Sequence, residues 1–364
     1  MCCDPFEAQR SVPMLCAAQG SVSSVVMGSI KQLPLLLRLV PSLPTPPCPE
    51  ATVPASDVPA LFREPYILSG YRPVGQPWPC YVLSLFQCHN ESLNVWTHLL
   101  ASGAVLLRFA LFASGAGREA VTLPLCLYAA SALTYLSCSA TAHLLQSHSE
   151  LAHYSLFFLD YMGVGAYQYG CALAHYFHCS EEAWKQGPLG PLLLPLVFLF
   201  SWMSCASCCF AKLRYRRPYP FHRKLFQIVP TGLSYILVIS PVVHRLASQP
   251  WTQPALLLHA LHMAFFLQAA FFFAWPVPER LFPGRCDIVG QAHQIFHVFM
   301  ILCTMCQLEA VCTDVLQQRG AALPVHEHQS SMLAGGSFFA LVLCCALTAA
   351  LMSRRVQRQL QKEE

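Results

Sequence analysis

Residues 288–312, "IVGQAHQIFHVFMILCTMCQLEAVC", run for twenty-five positions with one formal charge, Glu309. Wound as an α-helix at about 1.5 Å per residue, the stretch outspans a hydrocarbon core of about 30 Å. It also holds two imidazoles, His293 and His297, four positions apart and so on one helix face. Seven further windows share its length and poverty of charge. With it they predict eight transmembrane helices over 94–113, 121–146, 154–178, 189–211, 226–246, 254–274, 288–312 and 332–352. The whole chain agrees: 55% of its 364 residues are apolar and 11% charged, against about 25% charged in a soluble domain. The fold class is therefore an all-α integral membrane protein. A formal net charge of +4 offers no basic surface for nucleic acid.

Four segments follow: a flexible cytoplasmic N-terminal tail (1–60), a cytoplasmic pre-membrane segment (61–93), a transmembrane helical domain (94–352) and a cytoplasmic C-terminal tail (353–364). The tail is rich in Pro and Ser ("PSLPTPPCPEATVPAS"), and "MCCDPFEAQRSVPMLC" lacks the basic-then-apolar order of a signal peptide. Most of the nineteen cysteines fall inside spans, where they read as small apolar residues rather than a disulfide framework. Cys2, Cys3, Cys208 and Cys209 are candidates for palmitate.

Basic residues set the orientation. With the N-terminus in the cytosol, seventeen Lys and Arg face the cytosol and four (Arg118, Lys185, Arg245, Arg319) face outward, while Arg108 lies within the first span. Both termini are then cytoplasmic. "NES" at Asn90 is a glycosylation sequon that would require the opposite orientation, and against so strong a charge asymmetry it reads as a chance match.

Orientation gives depth. His143 lies near the inner end of helix two, His293 and His297 in the inner part of helix seven, and Asp160 about 9 Å into helix three. They share one layer, with Ser139 one turn before His143 and His98 of helix one as a spare candidate. Gly163, Tyr167, Gly170 and Ala174 share the Asp160 face and allow close helix packing. Three imidazoles with an open fourth position suit zinc, while hydrogen-bonded core histidines satisfy the same spacing. Gln294 follows His293, so the general base of an HExxH protease is missing. The remaining histidines, among them His175, His178, His259 and His262, read as interfacial or hydrogen-bonded side chains.

The motifs "FREPYILSGYRP", "HNESLNVWTHLL", "SATAHLLQSHSELAHYSLFFLDYMGVGAYQYG", "YILVISPVVHR" and "ERLFPGRCDIVGQAHQIFHVFMILCTMCQLEA" closely resemble the progestin and adipoQ receptor family, most of all its membrane progestin receptors. The likeness runs from about residue 56 to the C-terminus. It implies an adiponectin-receptor-like seven-helix core plus a C-terminal eighth helix. It also implies Zn2+ held by His143, His293 and His297, with Asp160 beside the zinc water and Ser139 one turn from the first ligand. Two positions depart from the family pattern: Val238 replaces an acidic residue, and Ala142 stands where the adiponectin receptors have Phe.

Two functions follow. The resemblance implies a plasma-membrane steroid (progestin) receptor that signals through G proteins or other cytosolic effectors. Tyr167, Tyr169, Trp202, Tyr235, Phe265 and Phe266 are plausible lining for an apolar ligand. The basic loop 212–224 would meet anionic lipid or an acidic partner. The alternative is a zinc-dependent, ceramidase-like lipid amide hydrolase with Asp160 as base and Ser139 aiding the oxyanion.

Overall fold

The computed structural model describes residues 49–215, 219–318 and 325–363. Cys2, Cys3 and most of the expected tail lie outside these residues. Eight long helices carry the fold: α1 Ser92–Ala116, α2 Leu123–Leu145, α3 Glu150–Ala174, α4 Gly190–Arg214, α5 Phe221–Ser248, α6 Pro254–Ala274, α7 Ala292–Gln317 and α8 Val325–Glu363. Among the described residues there is no strand, only an isolated bridge between Val53 and Tyr71.

Seven of the eight are long and apolar enough to cross a membrane. The exception to the expected eight spans is α3, because Glu150, His153, Asp160 and Gln168 keep its composition too polar. Its surroundings explain this: α3 packs against α2, α4, α5 and α8, so protein rather than lipid covers much of its surface. The C-terminal helix does qualify over Ser331–Glu363, and it runs unbroken through the expected C-terminal tail.

Small residues set α3 against α2 on the expected face. A Cβ at Gly163 would come within 2.9 Å of the Tyr135 Cα, and one at Gly170 would fall 2.0 Å from Ser131 Oγ. Neither position has room for a side chain. Elsewhere, Arg108 of α1 pairs with Glu309 of α7 at 2.6 Å, which compensates two charges within the span.

The pre-membrane segment caps one end of the bundle. Val53 and Tyr71 exchange backbone hydrogen bonds of 2.7 and 3.0 Å, and Val58, Ile67 and Tyr71 form a small buried cluster. The last part of the stretch assigned to the tail is thus held in place. Asp287, in the loop before α7, accepts from Leu68 N and Ser69 Oγ at 2.9 and 2.6 Å. Trp78 stacks on His148 with ring centroids 3.7 Å apart. Asn90 of the sequon is only 4% exposed, no place for a glycan.

All described cysteines are free thiols. Cys208 and Cys209 are buried, which removes them as palmitate sites and leaves them as packing residues.

Candidate metal centre

The capped end of the bundle gathers the predicted residues. α7 begins at Ala292, later than the apolar run suggests, because Gln291 and Gln294 form a reciprocal capping box. Gln294 Oε1 also accepts from Gly290 N at 2.8 Å. This cap is the role of the residue that breaks the protease motif. His293 and His297 therefore occupy the first two turns of α7, and His143 the last turn of α2.

His143, His293 and His297 each offer one nitrogen, all within 4.8 Å of one another. His143 Nε2 and His293 Nε2 are 3.3 Å apart. Glu91, immediately before α1, fixes the tautomer: its Oε2 lies 2.7 Å from His143 Nδ1. A proton on Nδ1 leaves the Nε2 lone pair facing the other imidazoles, the carboxylate–histidine arrangement typical of metal ligands. Thr97 Oγ1 lies 3.3 Å from His297 Nδ1. His98 stacks on His297 at 3.7 Å but is not one of the converging donors. This donor set fits zinc: three imidazoles, one of them backed by a buried carboxylate.

Glu91 is the functional residue that spacing arguments missed. Burial raises its carboxyl pKa, but the adjacent His143, the hydrogen bond from Asn94 and the Arg72 guanidinium outweigh burial and hold it well below the usual carboxylate range. Asn94 Nδ2 and Gln146 Nε2 donate to it at 2.6 and 3.1 Å.

Arg72 belongs to the same assembly. Its Nη2 donates to the His143 carbonyl at 2.7 Å, and its Nη1 donates to Ser84 Oγ at 2.9 Å and to the Leu144 carbonyl. These carbonyls end α2, where a helix leaves its last acceptors without internal donors. Burial lowers the Arg72 guanidinium pKa to about 10, partly offset by the charge of Glu91.

Asp160 stands beside the centre rather than in its ligand set. α3 starts at Glu150, so Asp160 lies about 15 Å along it, farther from the helix start than expected. It is nonetheless within electrostatic range of His143 and Lys212, with Ser139 nearby. Above this layer a polar network crosses mid-bundle. Tyr128 and Tyr167 donate to Gln307 Oε1 at 3.2 and 2.9 Å, and Tyr135 lies 2.7 Å from Thr304 Oγ1.

The six aromatics considered as lining serve separate contacts. Tyr167 joins the Gln307 network, Tyr169 lies 2.7 Å from Ser337 Oγ, and Trp202 Nε1 donates to Thr348 Oγ1 at 3.1 Å. Tyr235 and Phe266 stack on each other, and Phe265 stacks on Phe299. In the basic loop, Lys212 is turned onto the Phe157 ring and Lys224 donates to the Phe273 carbonyl.

A helical membrane protein with three converging histidines at one bundle end is the class that fold and site define. The chain belongs to the haemolysin-III-related family, whose pattern matches residues 86–308. It is similar to the membrane progestin receptor beta of Homo sapiens, 50% identical over 94% of this chain and 97% of that protein. The Mus musculus beta receptor is 50% identical over 92% of this chain and 95% of its own length, and the Danio rerio membrane progestin receptor alpha-B is 44% identical over the same shares.

Proposed function

We propose that this chain is a plasma-membrane receptor for a progestin or a closely related steroid, with Zn2+ held by His143, His293 and His297. The observation that carries the ligand class is the 50% identity, along nearly the whole chain, to proteins named membrane progestin receptor beta. In this reading all eight helices cross the membrane. α3 is the inner one, and its polar residues face neighbouring helices. Both termini lie in the cytosol, and heterotrimeric G proteins or other cytosolic effectors dock on the capped face. Zinc in the three-histidine centre supplies a fixed positive charge and a Lewis-acidic position. Glu91 orients His143, and the Asp160 carboxylate lies within electrostatic range of His143, with Ser139 nearby.

Topology is tested first. Epitope tags at either end are expected to be detected only after cells are permeabilised. A C-terminal tag reached on intact cells would remove one span from the count.

Asp160 then separates a receptor from the amide hydrolase that the same residues could build. Asp160→Asn keeps the side-chain shape but removes the base. We expect the variant to keep saturable binding of radiolabelled progesterone in isolated membranes, with Kd within about threefold of wild type, because Asp160 lies outside the ligand set. Wild-type protein that binds no progestin but releases fatty acid from ceramide, with that release lost in Asp160→Asn, would replace the receptor reading with the hydrolase.

A further inference from the structure

The far end of the bundle carries a second histidine cluster. α3 closes in a π-helical turn, His175–Cys179, an irregularity often associated with functional sites. His259 and His262 sit one turn apart on the same face of α6, about 8 to 12 Å along that helix. His175, His259 and His262 are each at most 1% exposed, and one nitrogen from each lies within 4.8 Å of the others.

The surroundings fix which nitrogens hold protons. His175 Nδ1 lies 2.8 Å from the Val238 carbonyl, so it is the protonated nitrogen and donates. The lone pair on Nε2 is left to accept from Gln307 Nε2 at 2.9 Å, a contact that a metal would replace. His259 Nε2 lies 2.8 Å from Asp314 Oδ2, which places its proton there and turns the Nδ1 lone pair toward His262 Nε2 at 3.3 Å. Two of the three imidazoles are thus oriented through their outer nitrogens by a carbonyl and a carboxylate, the usual support of metal-bound histidines.

Asp314 supports the cluster without being a ligand. Its Oδ2 is already taken by His259 and by Arg245 Nη1 at 2.7 Å. Its Oδ1 is buried without a hydrogen-bond partner, and the Cys179 thiol is among the groups beside the carboxylate. A metal-bound water would supply that oxygen with a donor. Beside it lies a polar cavity of about 260 Å³ lined by Cys179, Glu181, Arg245, Gln253, Asp314 and Gln318, among others.

We propose that His175, His259 and His262 form a second metal site, for Zn2+ or a similar imidazole-preferring divalent cation, independent of the His143 centre. Zinc content of purified full-length protein after saturation and gel filtration tests it. Wild type is expected to retain two equivalents per chain, and His262→Gln, close in size and still polar, is expected to retain one. His293→Ala/His297→Ala should also retain one, held at the far end. Equal zinc in wild type and His262→Gln, or no zinc in His293→Ala/His297→Ala, overturns the proposal and leaves the cluster a hydrogen-bonded network. If His262→Gln does not elute as a monodisperse species, the His293→Ala/His297→Ala result decides alone. One equivalent that survives loss of His293 and His297 but not of His262 would refute the His143 centre while supporting this one.

Discussion

Replacing His293 and His297 together with alanine is expected to cost the protein one full equivalent of zinc. The two imidazoles occupy successive turns of one helix and, with His143, offer the only three converging donors at that end among the described residues. A zinc site in a protein takes three or four side-chain ligands, and a single histidine does not retain the ion through gel filtration, however well Glu91 orients it. His293 is only partly buried, and the helix start is fixed by Gln291 and Gln294 rather than by the histidines. The variant should therefore elute as wild type does. Zinc content measured against protein on that peak gives the answer, and an unchanged content would defeat the assignment of His293 and His297 as ligands.

Much of this centre is legible in the sequence for a definite reason. A four-residue spacing in a helix places two side chains on one face whatever the tertiary structure does, so the His293–His297 pair needs no fold to be seen. His143 enters through depth, because the ends of apolar windows locate the membrane surface. Depth is also where the reading slips. Helix ends are set by capping and by loop contacts that hydropathy does not register, so α7 starts four residues later and α3 four residues earlier than the windows imply.

Glu91 stayed hidden because "NES" presents itself as a sequon, and because its partner His143 lies 52 positions away. The far-end cluster carried a local signal, the three-residue spacing of His259 and His262. The third member, His175, comes from a π-turn that no periodicity announces. Val238 shows the limit from the other side. The sequence marks it as a missing carboxylate, yet what the position contributes is a backbone carbonyl to His175, a group that every residue possesses.

Arg72→Met should produce the largest loss of stability of any substitution considered. The side chain is of similar length and apolar, so packing along the stem is kept while the guanidinium is removed. Three acceptors lose their donor at once: the carbonyls of His143 and Leu144 and the hydroxyl oxygen of Ser84. The buried Glu91 carboxylate also loses the fixed positive charge of Arg72 that helps to keep it ionised. Each hydrogen bond to a charged group is worth about 1.5–3 kcal/mol, and removing one partner of a buried charge pair costs about 3–5 kcal/mol. The terms overlap, so a total of about 3–5 kcal/mol is expected. Arg72→Lys restores the charge but not the planar fork that reaches several acceptors, and it should recover only part of this. The measurement is the thermal midpoint of purified protein in one detergent, read together with zinc content. Arg72→Met should melt well below wild type, with Arg72→Lys between them. Zinc should bind more weakly in Arg72→Met, because the last turn of α2 that carries His143 is no longer tied to the cap. A midpoint for Arg72→Met equal to that of wild type would mean that water satisfies the α2 terminus in its place and that the cap does not hold His143.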